Sequence, residues 1–405
     1  MAWKLYLGIA LILFAAILLT WRGSSGLRLT VEGFASSPAD ETDIAKRVDA
    51  QSTVLDDYTV KTLVPMSTVL KDVPVSQRYL VNLAPITITY TGYLGANVFN
   101  ATKFFKHALS LGIRSFVLPI STYKDDNKDT PLWPASGAPA VIYRDAKGYI
   151  ASDNGLSVKK IAMALSNALS VSSPQQGEPI LLKLEQVPGF VPENEKEYVN
   201  FMTTIATDLE PLSPLLLQQL GQYGTALGGK LEAEILLQTP LSDLAGKVLI
   251  ITDFDVGKYR KEAYKNQRGA TLLNRVHFLV QNSPPQGAIS SYKTLQLSNV
   301  SSTFDTNLAR TTLQEARGAT ITDVDKKVTI ALSRGIQIIP LPLFESGKAA
   351  DALTLIQPWK GAAWKIKPED ERYTKPAPVV SATPSQKMNA RVAADAQPGQ
   401  VVIGN

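Results

Sequence analysis

From Arg78 onward the chain alternates short, almost wholly apolar runs with longer stretches of helical periodicity. The apolar runs cover 85–90, 115–120, 140–143, 180–184, 248–251, 276–280 and 336–339, and their length predicts strands buried on both faces. Between them, helices are predicted over 101–111, 158–169 (apolar at 158, 161, 165 and 169), 195–209 (apolar at 198, 201, 202, 205 and 209) and 306–317, the last with Gly318 as its cap. Strands alternating with helices point to βα units and a parallel sheet. An internal echo agrees. Ala108-Leu-Ser-Leu-Gly-Ile113 leads to Leu118-Pro119, and Ala331-Leu-Ser-Arg-Gly-Ile336 leads to Leu341-Pro342, as two equivalent αβ units would.

The ends of the chain read differently. Residues 5–21 are almost uninterruptedly apolar, with Trp3 and Trp21 at the margins and Lys4 and Arg22 outside. This fits a single transmembrane helix with interfacial tryptophans, so residues 1–24 are taken as an anchor. A cleaved signal peptide is the alternative, but no small-x-small cleavage site stands before Leu27. The basic residues on the two sides balance, which leaves the orientation open. Residues 25–78 read as a polar juxtamembrane linker, and 373–405, rich in Pro, Ala, Ser and Gln, as a disordered tail.

Length adds that 405 residues can bury a sizeable core. The net charge of +5 comes from scattered basic residues with no polybasic run, which argues against nucleic acid as a partner. With no cysteine there is no disulfide, thiolate metal site or Cys nucleophile. The only histidines are His107 and His277. His107 lies near Lys103 and Lys106 and reads as solvated; His277 reads as a packed or surface strand residue. Asn100-Ala-Thr102 and Asn299-Val-Ser301 match the glycosylation sequon, but Asn100 is better explained as a helix N-cap.

One carboxylate stands out. Glu178-Pro-Ile-Leu-Leu-Lys-Leu-Glu185 is a buried strand ending in an acid, followed by the breakers Pro188 and Gly189. The carboxyl end of a barrel strand is where such folds build their active face, although a solvated strand-end glutamate would read the same way.

Several segments, in order, resemble the X and Y halves of eukaryotic phosphoinositide-specific phospholipase C. Phe105-Lys-His-Ala-Leu-Ser-Leu-Gly-Ile-Arg-Ser-Phe-Val117 resembles the helix and strand carrying Gly-Cys-Arg-x-Val-Glu-Leu-Asp. Ala140-Val-Ile-Tyr143 resembles Val-Val-Tyr-His, and Pro179 to Glu185 is similar to Pro-(Val/Leu)-Ile-Leu-Ser-Leu-Glu. Pro240-Leu-Ser-Asp-Leu-Ala-Gly-Lys-Val-Leu-Ile-Ile251 resembles the X-half segment that ends Lys-Ile-Leu-Ile-Lys. In the second half, Arg334-Gly-Ile-Gln-Ile-Ile-Pro-Leu-Pro-Leu-Phe344 and Lys360-Gly-Ala-Ala-Trp-Lys-Ile-Lys-Pro368 resemble Gly-x-Gln-Met-Val-Ala-Leu-Asn-Phe and Asn-Gly-x-x-Gly-Tyr-x-Leu-Lys-Pro. The resemblance implies an α/β fold, a (β/α) barrel of the triosephosphate isomerase type over 79–372, with an X half over about 79–255 and a Y half over about 270–372.

It also implies a chemistry, and the residues depart from it. The family cleaves a phosphodiester with two histidines and Ca2+, the inositol hydroxyl attacking the phosphorus. Here the first histidine and its neighbouring asparagine fall on Thr87 and Ile88, the acidic pair on Val117 and Pro119, the second histidine on Arg144, and the lysine pair on Ile251 and Asp253. Only Glu185 is kept. Thr cannot carry a positive charge, and Arg binds phosphate but does not release a proton near neutrality. The expectation is therefore a membrane-anchored, catalytically inactive phospholipase C-like protein with a binding or structural role and no cofactor. Its partners would be the lipid bilayer, and either phosphoinositide head groups, with Arg144 as a phosphate contact, or another protein. The alternative is an active metal-dependent phosphodiesterase with Ca2+ or Mg2+ on a rebuilt set of Glu185, Asp253 and Asp255.

Overall fold

The computed structural model describes residues 42–47, 49, 63–90, 92, 98–124, 132–144, 147–171, 177–216, 239–254, 276–279, 295–296, 316–317, 324–341, 343 and 354–376. The apolar segment 5–21, Asp255, and the chain beyond 376 lie outside them. Among the described residues, no helix is long and apolar enough to cross a membrane.

A mixed α/β sheet organises the chain. Its parallel part comprises β1 (Leu83–Thr89), β2 (Ile113–Thr122), β5 (Ile180–Gln186), β6 (Val248–Thr252), β7 (Val276–Leu279) and β10 (Pro340–Leu341), in the order β10-β1-β2-β5-β6-β7. Three short antiparallel strands extend it: β3 (Pro139–Val141) on β2, β4 (Leu156–Ser157) on β3, and β11 (Trp364–Ile366) on β1. A separate parallel pair joins β8 (Leu295–Gln296) to β9 (Ala316–Arg317).

The helices α1 (Ala101–Ser110), α2 (Val158–Val171), α3 (Glu195–Asp208) and α4 (Val324–Ser333) lie between strands. Asn100 caps α1 by accepting from the Lys103 amide, and Asn194 caps α3 by accepting from the Lys196 and Glu197 amides. Strand β5 buries alternate residues on opposite faces. Ile180, Leu182 and Leu184 join the helix-side core with Phe104, Phe105, Leu165, Met202 and Ile205. Leu181 turns to the other face with Leu83, Leu249, Ile251, Ile338 and Trp364. Apolar burial on both faces explains why these strands read as continuous apolar runs.

The internal echo has a structural counterpart. Gly112 and Gly335, at φ +86° and +72°, both end helices, and the strands that follow, β2 and β10, pair with β1 on its two sides. The packed body also begins before residue 79: Leu70 and Val73 are buried with the second core, and the Val64 amide donates to Gly361 O.

Three expectations need correction. His107 is not solvated but buried, because α1 turns a broad face inward that also includes Ala101, Phe104, Phe105 and Ala108, leaving Lys103 and Lys106 on the outer side. The predicted helix 306–317 does not reach its end, since Ala316–Arg317 is extended and pairs with Leu295–Gln296; its first ten residues lie outside the described ones. The last apolar run is shifted. Residues 336–339 are buried, with Gln337 donating to Val81 O, while the strand ladder is made by Pro340–Leu341.

Candidate functional site

Because the central strands are parallel, β1, β2, β5 and β6 deliver their carboxyl ends to one rim. Their register fixes what lies level with what. Thr87 is the partner of Ser115, and Ser115 of Leu181. One step higher, Thr89 pairs with Val117, Val117 with Lys183, and Lys183 with Ile251. One step higher again, Pro119 stands beside Glu185. Leu181, Lys183 and Glu185 are spaced by two along β5 and so share a face, the one on which Leu181 meets the second core.

Thr87, where the resemblance places a histidine, is fully buried, and its hydroxyl donates to Pro85 O at 3.3 Å. Neighbouring Ser115 Oγ is buried without a hydrogen-bond partner. Arg144, where the second histidine falls, is half-buried. Its guanidinium donates to Gly148 O at 3.0 Å and to Thr122 O at 3.2 Å, and lies 4.0 Å from the centroid of the Phe190 ring. Burial lowers its pKa from the ordinary arginine value. Phe190 is itself tied down, its carbonyl accepting from the Thr122 amide. Arg144 thus braces the loops after β2, β3 and β5.

Glu185, the acid that the resemblance matches, sits 3.3 Å from Lys183 Nζ, which donates to its Oε2. Side-chain exposure is 2% for Lys183 and 15% for Glu185. Asp253 accepts from the Gln186 amide at 2.7 Å, so its carboxylate fastens the end of β6 to the end of β5. Thr252 reinforces that joint by donating to Leu184 O. Asp255, the third member of the rebuilt metal set, lies outside the described residues, as does the His277 side chain. Among the described residues, no group of three or more His, Asp or Glu is placed to hold a metal ion.

The family's calcium positions can be tested on these contacts. A hard cation needs several oxygen donors around one point. Ile88 faces the helix-side core, Val117 and Pro119 offer no side-chain oxygen, and Glu185 is held by an ammonium. These positions do not fit the ion.

No protein family and no curated protein matches the sequence. Among solved structures, L. pealei PLC21 is similar, with a TM-score of 0.49 and 13% identity over 77% of this chain and 40% of that one. S. officinalis PLC21 gives 0.47 and 14%, over 77% and 40%. The calcium-dependent phosphoinositol-specific phospholipase C of a Pseudomonas sp., apo form, gives 0.43 and 14%, over 75% of this chain and 100% of that one. The chain therefore spans about 40% of the length of the two PLC21 proteins.

The sequence drew attention to Thr87, Arg144, Glu185 and Asp253; the register places Glu185 beside Pro119, and a hydrogen bond from the Gln186 amide ties Asp253 to the end of β5. It passed over Lys183, although the signal was present: the family segment has Ser at that position. A cleft of about 430 Å³ with Phe99, Asn154, Lys160 and Met163 in its wall lies elsewhere, and none of these rim residues lines it.

Proposed function

We propose that the protein is a phospholipase C-like (β/α) barrel held at a membrane by its N-terminal apolar segment, catalytically inactive, and serving a binding or structural role there. The observation that carries the reading is the Thr87 site. A buried hydroxyl, bonded to its own strand, stands where the resemblance puts an imidazole that can carry positive charge. Arg144 supports it, since a guanidinium braced on two carbonyls and an aromatic ring is unsuited to proton transfer near neutrality. General acid–base steps contribute about 10²–10⁴ each, so losing both would remove the inherited rate.

The lipid partner follows from the family resemblance and from the apolar segment 5–21. The test is to incubate the full-length protein with phosphatidylinositol vesicles and millimolar Ca2+, Mg2+ or Mn2+. The expected result is no release of inositol phosphate. Metal-dependent release abolished by Glu185→Ala would overturn the proposal in favour of an active phosphodiesterase with a rebuilt site.

A further inference from the structure

We infer that the Lys183 ammonium takes the place of a divalent cation beside Glu185, as a counter-charge covalently fixed in the strand. The inference rests on the phospholipase C-like reading above and deepens it.

Three observations converge. Lys183 and Glu185 share one face of β5, with Nζ 3.3 Å from Oε2 and both side chains largely withdrawn from water. Lys183 is the ladder partner of Val117, and Glu185 of Pro119, the two positions where the resemblance places acidic metal ligands. The changes are therefore neighbours in space: carboxylates are absent from β2 and a cation is present on β5, one strand away. Finally, the segment that otherwise keeps the family pattern, Pro179 to Glu185, departs from it at Lys183, where the family has Ser.

Charge explains why these changes belong together. A cluster of carboxylates in a site shielded from water needs a cation to exist. The Glu185 carboxylate is offset by the Lys183 ammonium without an ion, and the neighbouring Asp253 carboxylate is engaged by the Gln186 amide. An ion entering beside Glu185 would have to displace the ammonium or sit within a few ångströms of it, and like charges in a shielded site repel strongly.

The test uses full-length protein in detergent, with Ca2+ alone as the probe. Binding heat and the Ca2+-dependent shift in thermal unfolding are measured for wild type, Lys183→Arg, Val117→Glu/Pro119→Asp and Val117→Glu/Pro119→Asp/Lys183→Ser. Wild type, Lys183→Arg and Val117→Glu/Pro119→Asp, which all keep a cation at position 183, should give neither heat nor shift at millimolar Ca2+. Val117→Glu/Pro119→Asp/Lys183→Ser, with three carboxylates and no ammonium, should gain a Ca2+-dependent rise in unfolding temperature. Binding by wild type that Lys183→Arg leaves unchanged would overturn the inference, as would equal binding by the variants with and without Lys183, or a folded triple variant indifferent to Ca2+. If the triple variant does not fold without Ca2+, recovery of folding on adding Ca2+ supports the inference, and failure to recover overturns it. Inositol phosphate release is not a readout here, so this result and the test of inactivity can fail independently.

Discussion

Arg114 Nε donates to Glu178 Oε2 across 2.7 Å, joining the start of β2 to the turn that leads into β5. The pair is buried, with Arg114 at 1% and Glu178 at 10% side-chain exposure. Arg114 also donates to Leu109 O and Ile113 O, while the other Glu178 oxygen accepts from the Met66 amide. Burial lowers the Arg114 pKa and Glu178 partly restores it. This joint lies at the opposite end of the strands from the rim, so its role is stability.

Removing one partner of such a pair leaves a buried charge uncompensated. Glu178→Ala should destabilise the fold by about 3–5 kcal/mol, whereas Arg114→Met/Glu178→Leu should recover much of that loss. Chemical denaturation of the three proteins checks it. Equal destabilisation in the single and double variants would mean the pair is not the source.

A second test concerns the brace at the rim. Gly148 has φ +88°, and a Cβ there would come within 2.6 Å of Phe190 Cζ, the ring beneath Arg144. Gly148→Ala is therefore opposed by backbone and by packing, and should cost about 1–3 kcal/mol. Arg144→Lys should also destabilise, because an ammonium cannot span both carbonyls and lie flat on the ring. Thermal unfolding measures both. Wild-type stability in Arg144→Lys would free Arg144 from this bracing role and strengthen its candidacy as a phosphate contact.

Lys367 gives a pH dependence. It is buried near Glu371 and Gly335, and burial lowers its pKa to about 7, with Glu371 opposing the shift. Unfolded, the group titrates near ~10.4. Below about pH 7 both states hold the proton, and the fold bears the full cost of the buried charge. Between about 7 and 10 the unfolded chain holds a proton that the folded chain has released, so this group makes the fold more stable as pH rises, by up to about 1.4 kcal/mol per pH unit. Denaturation midpoints from pH 7 to 9.5 should therefore rise more steeply in wild type than in Lys367→Met. Parallel slopes would remove Lys367 as the cause.

How far the sequence carried can be judged from particular residues. Strands such as Ile180–Gln186 were legible because parallel strands bury both faces, which leaves an apolar run with no ambiguity of side. Asn100 was legible as a cap because its chemistry is local. His107 was misread because periodicity ranks faces of one helix but does not say how broad the buried face is. At the rim, the substitutions at Thr87 and Arg144 were visible, but not their consequences. That Thr87 bonds to Pro85 and Arg144 lies on Phe190 depends on positions that only the folded chain brings together. Lys183 is the sharpest case. Two residues from Glu185 on a strand, it had to share that face, yet its ladder partner Val117 is fixed by inter-strand register.

Placing histidines at the two positions that the resemblance names should not by itself produce a phospholipase C reaction. Thr87→His would force an imidazole into a fully buried position, at an overpacking cost of about 1–3 kcal/mol. Arg144→His would remove the brace between Gly148 and Thr122. Even a folded Thr87→His/Arg144→His protein would still have Val117 and Pro119 beside a lysine-paired Glu185, with no cluster of carboxylates among the described residues to hold an ion that lowers the pKa of an attacking hydroxyl. Inositol phosphate release from phosphatidylinositol vesicles should therefore stay at background in this variant. Release should rise only when Lys183→Ser, Val117→Glu and Pro119→Asp are added. Activity in the histidine pair alone would show that the metal positions were not limiting and that the inactive reading rested on Thr87 and Arg144 alone.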